Sequence, residues 1–284
     1  MDARPRPIRP RIQIEPDYAR LCDVAARLVL ASAQQAIATR GRFSVALSGG
    51  TTPRGLYERL AAAPLANVAD WPAWHIFWGD ERWVSPRDSR SNYHLACTAL
   101  LDHVRVNPAQ VHPMVPADRQ TAAPDYPPRT ELEAVDFAAG VYEGALVSEL
   151  SVAASSDAGP TGVSRRPPRI DLVLLGLGDD GHTASLFPGA RALEEIHKWV
   201  VAAPAPGGAG ELALPRMTMT LPVLNAAREV IFLVSGAAKS SVVAAVLEAD
   251  DGTEAEQRPP LLPAARVVPS HGRLTWLLDQ DAAG

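Results

Sequence analysis

Lysine is nearly absent from this 284-residue chain: Lys198 and Lys239 are the only two among 27 basic residues, the rest being arginine. Cysteine is as scarce, with Cys22 and Cys97 alone. That excludes a disulfide scaffold and any zinc cluster built from several cysteines, and both residues are read as small buried hydrophobes. An excess of positive charge is missing too. At a formal net charge of −5 the chain has no basic face to drive counterion release, so no nucleic-acid partner is expected. No stretch reaches the roughly 18 uncharged apolar residues of a membrane helix. The basic, proline-rich opening MDARPRPIRPR is not followed by the apolar core of a secretory signal. A cytoplasmic protein without membrane contact is therefore expected, with residues 1–10 as a loose tail. G-x-S-x-G, H-E-x-x-H, Walker A and C-x-x-C patterns are all absent, so neither a serine nucleophile nor a catalytic zinc is expected.

What remains is an ordinary globular composition, 47% apolar and 21% charged, which argues against a disordered chain. Short apolar runs alternate with longer helical patterns, the signature of βαβ units and a mostly parallel sheet. Strands are predicted at 11–14, 43–47, 75–78, 170–175, 199–202, 217–221, 230–234 and 274–278, and helices at 18–39, 53–62, 92–101, 130–150 and 237–248. The run IDLVLL reads as a strand buried on both faces. In the first helix Leu21, Val24, Ala25, Leu28 and Ala31 share one face. Segments 117–129, 151–169 and 203–210, rich in Pro, Gly, Ser and Ala, read as surface insertions. The expectation is one doubly wound α/β domain over 11–284, its helices on both faces of a mostly parallel sheet.

In such folds ligands bind beyond the carboxyl ends of the strands, and four of those ends carry unusual chemistry. Ser48, Gly49, Gly50 and Thr51 follow the second strand. Glycines that allow close backbone approach, then Thr52 as N-cap and Pro53 as first helical residue, make an anion site at a helix N-terminus or an ordinary turn. Asp80, Glu81 and Arg82 follow the third strand and read either as a solvated turn or as a pocket with a fixed planar cation. The run GLGDDG contains G-x-G-x-x-G, but Asp179 and Asp180 would sit where a pyrophosphate belongs, and no ribose-binding acid follows the next strand. A dinucleotide is therefore disfavoured. His182 stands beside Asp180, which can orient the imidazole for proton transfer. The other six histidines, His75 and His112 among them, are read as structural. Arg216 opens a strand, and Lys239 lies in the first turn of a helix, where a cation is misplaced unless an anion is shared.

The blocks ALSGGTTPRGLY, WGDERWV with SNYHLA, DLVLLGLGDDGHTASLFPG, LPRMTMTLPVLNAAREVIFLVSGAAK and LTWLLDQDAA resemble, in order, those of the 6-phosphogluconolactonases. The resemblance implies hydrolysis of 6-phospho-D-glucono-1,5-lactone to 6-phosphogluconate in the oxidative pentose phosphate pathway. It also implies a doubly wound fold shared with sugar-phosphate isomerases and glucosamine-6-phosphate deaminase. That deaminase is the rival reading, but its block reads DGHIAFNEPG. Where its acid Glu stands this chain has Phe187, and where it follows Asp-Glu with Tyr this chain has Arg82. The implied roles put the substrate phosphate on Ser48, Gly49, Gly50, Thr51, Arg216 and Lys239. His182 would be the base toward water and later the acid to the ring oxygen, oriented by Asp180, while Asp80 and Arg82 position the lactone and stabilise charge. A phosphosugar lactone is then the only partner implied, with no cofactor and no metal ligands; monomer and dimer stay equally open. A non-catalytic sugar-phosphate sensor would keep Arg216 and Lys239 but need not keep His182.

Overall fold

A computed structural model describes residues 9–116, 130–150, 166–204, 214–248 and 261–284. The tail 1–8 and the insertion 117–129 lie outside these residues, as do the larger parts of 151–169 and 203–210. Among the described residues the strands are β1 (Arg11–Glu15), β2 (Phe43–Leu47), β3 (Trp74–Trp78), β4 (Asp80–Arg82), β5 (Leu172–Leu175), β6 (Val200–Ala203), β7 (Arg216–Met219), β8 (Glu229–Val234) and β9 (Arg273–Asp279). The helices are α1 (Tyr18–Arg40), α2 (Thr51–Ala61), α3 (Leu65–Val68), α4 (Asn92–Ala99), α5 (Glu131–Leu150), α6 (Leu221–Ala226), α7 (Ser240–Leu247) and α8 (Gln280–Ala283).

Six strands form a wholly parallel sheet in the order β1-β9-β8-β5-β2-β3. Its central strands are buried on both faces: every residue of β2, β5 and β8 is buried, which is why they are apolar apart from Ser44 and Glu229. The two predicted strands at 199–202 and 217–221 instead join β4 in a separate antiparallel sheet ordered β4-β7-β6. β4 itself was not predicted, because three polar residues after a glycine carry no apolar alternation.

α1 is capped by the Asp17 side chain, which accepts from the Arg20 N–H, and ends at Gly41 in the left-handed region with φ 75°. By length and composition α1 could cross a membrane, but Leu21, Cys22, Ala25, Ala26, Val29, Ala33 and Ala36 are buried within this structure. The buried stripe is rotated from the predicted one: Ala31 is exposed, while Ala26, Ala33 and Ala36 face inward. Small alanines let the helix lie close to the sheet, so close packing rather than side-chain size selects the face.

β2 and β5 are neighbours whose outgoing connections diverge, β2 leading to β3 on one side and β5 leading to β8 on the other. That divergence opens a crevice at their carboxyl ends, where α/β sheets bind ligands.

Candidate active site

A cavity of about 290 Å³ fills this crevice. Ser48, Gly49, Gly50, Asp80, Arg82, His182, Arg216 and Lys239 all line it, so eight of the ten residues singled out from sequence converge although they span most of the chain. Asp180 stands behind His182 instead of in the lining. Thr51 does not line the cavity either; it opens α2, and its carbonyl accepts a hydrogen bond from the Tyr18 hydroxyl at 3.0 Å.

The first wall is the β2–α2 turn. α2 begins earlier than Thr52 and Pro53 suggested: Gly50 is the N-cap, with φ 101°, and no side chain caps the helix. The first-turn N–H groups and the positive end of the dipole are thus open to an anion. Tyr57 fixes the turn from below, its hydroxyl donating to the Ser48 carbonyl at 2.7 Å and accepting from the Ser48 N–H at 3.1 Å. The Ser48 hydroxyl is buried and has no partner among the described residues.

β4 and β7 build the second wall. Alternation along β4 sends Asp80 and Arg82 to the cavity and Glu81 to the opposite face. There Glu81 is buried, accepting from the N–H groups of Arg82, Asn92 and Tyr93 and from the Ser91 hydroxyl at 2.7–2.9 Å. Burial pushes its carboxyl up against those four hydrogen bonds. Asp80 is held at both oxygens, by the Ser185 hydroxyl at 2.6 Å and the Asn92 amide at 3.2 Å. The Asn92 oxygen accepts from Arg82 at 3.0 Å, so one amide spaces the acid from the base. A side chain at Gly49 would overlap that amide. Arg82 is registered directly opposite Arg216. Like charges so placed repel, and the Nε of each arginine is buried without a hydrogen-bond partner among the described residues. Burial lowers Arg216 from the usual guanidinium range, Asp80 opposes that shift, and Arg82 adds to it. Two half-buried guanidinium groups on paired strand positions are stabilised by negative charge brought to the cavity they line.

The third wall is the turn after β5. Gly181 adopts φ 79° and brings the chain back so that His182 covers Gly178, where any Cβ would overlap the imidazole. The His182 ring packs on Phe187 with centroids 4.6 Å apart, and Arg216 lies over the same phenyl ring at 5.5 Å. Asp180 Oδ1 accepts from His182 Nδ1 at 2.5 Å and from the His182 N–H at 3.1 Å. Burial raises Asp180, but these hydrogen bonds and the imidazole outweigh it and hold the carboxyl below its ordinary range. An ionised Asp180 fixes the proton on Nδ1 and leaves the Nε2 lone pair free to accept another. Ala184, at φ 48°, is the only described non-glycine residue with positive φ, and such strain collects at functional walls. The fourth element is Lys239, in a 3₁₀ turn preceding α7, with Nζ 2.5 Å from Asp179 Oδ1. That contact holds the exposed Asp179 below the usual carboxylate range.

Sequence reasoning missed Asn92 and Ser185 as site residues. Both stood inside quoted motifs, yet only the fold shows that they clamp Asp80.

The family described as glucosamine-6-phosphate isomerases/6-phosphogluconolactonase matches residues 16–276. The chain belongs to this family. Its relatives include 6-phosphogluconolactonase from Synechocystis, 39% identical over 87% of this chain and 86% of that protein. Another is 6-phosphogluconolactonase from Mycobacterium tuberculosis, 36% identical over 96% of each. Among solved structures, 6-phosphogluconolactonase from Trypanosoma cruzi superposes with a TM-score of 0.78 at 28% identity, covering 98% of this chain and 97% of that one. The parallel six-strand sheet flanked by helices is the architecture of the glucosamine-6-phosphate isomerase/6-phosphogluconolactonase family, so the expected fold class holds, with the small antiparallel sheet added at the site.

Proposed function

We propose that this chain hydrolyses 6-phospho-D-glucono-1,5-lactone to 6-phosphogluconate, a step of the oxidative pentose phosphate pathway. The observation that carries the reading is the paired Arg82 and Arg216 facing an uncapped helix start, beside an imidazole oriented by a carboxylate. An anionic substrate satisfies the first group, and ester cleavage by water requires the second.

The phosphate lies against the Ser48–Gly50 turn, Arg216 and Lys239, and its remote binding energy holds C1 of the lactone near His182. His182 Nε2 accepts a proton from water as the water attacks C1. The imidazolium, stabilised by Asp180, then returns a proton to the ring oxygen as the C1–O bond breaks. Arg82 meets the oxyanion that develops on the carbonyl oxygen, and Asp80, clamped by Ser185 and Asn92, positions the sugar hydroxyls. Phe187 supports the lactonase over the deaminase reading, since an apolar ring occupies the position of the deaminase acid. A cytoplasmic location is part of this reading.

The test is to generate the lactone with glucose-6-phosphate dehydrogenase and follow its loss against spontaneous hydrolysis. Acceleration is expected. No acceleration removes the reading, and ammonia release from glucosamine 6-phosphate replaces it with the deaminase.

Lys239→Ala should act chiefly on KM, because a charge-assisted contact to phosphate is lost in ground and transition states alike. About 1.5–3 kcal/mol corresponds to a rise of at least about tenfold. Unchanged affinity for 6-phosphogluconate would show that the phosphate lies elsewhere. Asp179→Asn should move KM the other way. Asp179 competes with the substrate for Lys239, but it is exposed and screened by solvent, so the fall in KM should be small, less than about fivefold. A rise in KM on Asp179→Asn would show that Asp179 holds Lys239 in place for the substrate.

A further inference from the structure

The amino-terminal half of β3, a strand length from the cavity, carries a second cluster of polar side chains. His75 on β3, His112 in the segment that bridges to Ile76, and Glu149 near the end of α5 each offer a ligand atom, all within 4.8 Å of one another. The fold dictates this meeting. The His112 N–H donates to the Ile76 carbonyl at 2.9 Å, which sets His112 beside β3. Tyr142 on α5 exchanges hydrogen bonds with the Trp78 backbone, so α5 is tied to the far end of the same strand. Seven helical residues from Tyr142 to Glu149 rise about 10 Å, and three strand residues from Trp78 back to His75 also span about 10 Å. Glu149 therefore arrives level with His75.

We propose that His75, His112 and Glu149 form a zinc site that clips α5 and the 110–112 segment to the edge of the main sheet. Nδ1 of His75 and Nε2 of His112 are buried and accept no hydrogen bond from any described residue, as two imidazole lone pairs awaiting a cation are. Glu149 Oε2 lies 3.5 Å from His75 Nδ1, close to the roughly 3.3 Å between neighbouring ligands around tetrahedral zinc with bonds of about 2.0–2.1 Å. The three ligand atoms lie within 4.8 Å of one another, and the Glu149 side chain, 37% exposed, has room to turn toward the imidazoles and leaves a path for the ion.

The surroundings support neutral imidazoles. Burial lowers His75 and His112 from the ordinary histidine range; Glu149 opposes this, while Arg42 adds to it at His75 and His75 adds to it at His112. His112 is further fixed by stacking on Phe77 with centroids 4.5 Å apart. Gln110 supplies the outer support a zinc-bound imidazole needs. Its amide nitrogen is 3.3 Å from His75 Nε2, and its own oxygen is buried without a partner among the described residues. Turning the amide by half a rotation lets that oxygen accept from His75 Nε2–H and directs the Nδ1 lone pair at the metal. Two imidazoles and one carboxylate, with a fourth position for water, suit zinc above magnesium or calcium.

The test is equilibrium dialysis of the chelator-treated full chain against zinc, with bound metal quantified and the unfolding temperature followed. The wild type should hold one zinc per chain at micromolar free zinc and unfold at a higher temperature when loaded. His112→Gln should weaken binding by about 100-fold or more and lose the zinc-dependent rise, with lactone hydrolysis unchanged. Glu149→Gln, at a half-exposed position, gives the same reading if the histidine variant fails to fold. His182→Ala should retain the zinc. No zinc on the wild type, retention in both His112→Gln and Glu149→Gln, or loss in His182→Ala would each overturn the site.

Discussion

His182→Ala lowers kcat by about 10²–10⁴-fold, the ordinary contribution of a positioned general acid–base group, or about 3–5 kcal/mol of barrier. The expectation rests on geometry. The Asp180 carboxylate fixes one nitrogen of the ring, Phe187 supports its face, and the other nitrogen is left for water in a cavity already lined by Arg82 and Arg216. KM should change little, because the phosphate anchors are untouched and the imidazole acts only as the water is deprotonated. Measured on freshly generated lactone with spontaneous hydrolysis subtracted, an unchanged kcat would remove His182 from the chemistry. Asp180→Asn keeps the shape but replaces an acceptor with an amide that no longer selects the Nδ1 proton. A fall no larger than that of His182→Ala is expected, since the carboxylate acts only through the imidazole. If Asp180→Asn and His182→Ala together cost no more than His182→Ala alone, the two residues act as a unit.

The parts of the site that follow directly from a strand end were legible in the sequence. Ser48 to Gly50 and Gly178 to His182 are each contiguous, and glycine or a helix start announces the local geometry before any tertiary contact exists. Three features were hidden because they arise only when distant segments meet. The opposition of Arg82 to Arg216 depends on β4 pairing with β7, and β4 is too short and polar to register as a strand. The clamp on Asp80 depends on Ser185 arriving from the turn after β5 and Asn92 from the start of α4. His75 and His112 read singly as structural, since nothing in sequence brings Glu149 from the end of a helix to join them. The rotated face of α1 has another cause: in an alanine-rich helix, periodicity marks a broad apolar surface, and the sheet chooses which part of it is covered.

Glu81→Ala should be the most destabilising single change near the site, although Glu81 does not face the substrate. Its neighbours in sequence, Asp80 and Arg82, point into the cavity, and alternation puts Glu81 at the buried start of α4. There its two oxygens satisfy three backbone N–H groups and one hydroxyl. Alanine leaves those donors without acceptors in a space where 2% of the residue was exposed. A single unsatisfied buried donor costs about 1–3 kcal/mol. Water entering the vacated space recovers part of the loss, so a total of about 3–5 kcal/mol is expected. For a chain of this size that lowers the unfolding temperature by about 10 °C. Glu81→Gln should cost less, because one oxygen still accepts, but its new NH₂ meets N–H groups that also donate. The same change reaches catalysis through Asn92: once Glu81 no longer orders the start of α4, the amide that spaces Asp80 from Arg82 loosens, and kcat falls in protein that is still folded. Thermal unfolding and turnover measured on the same Glu81→Gln sample separate the two effects. Wild-type stability with Glu81→Ala would mean that water or a shifted side chain replaces every one of those four hydrogen bonds.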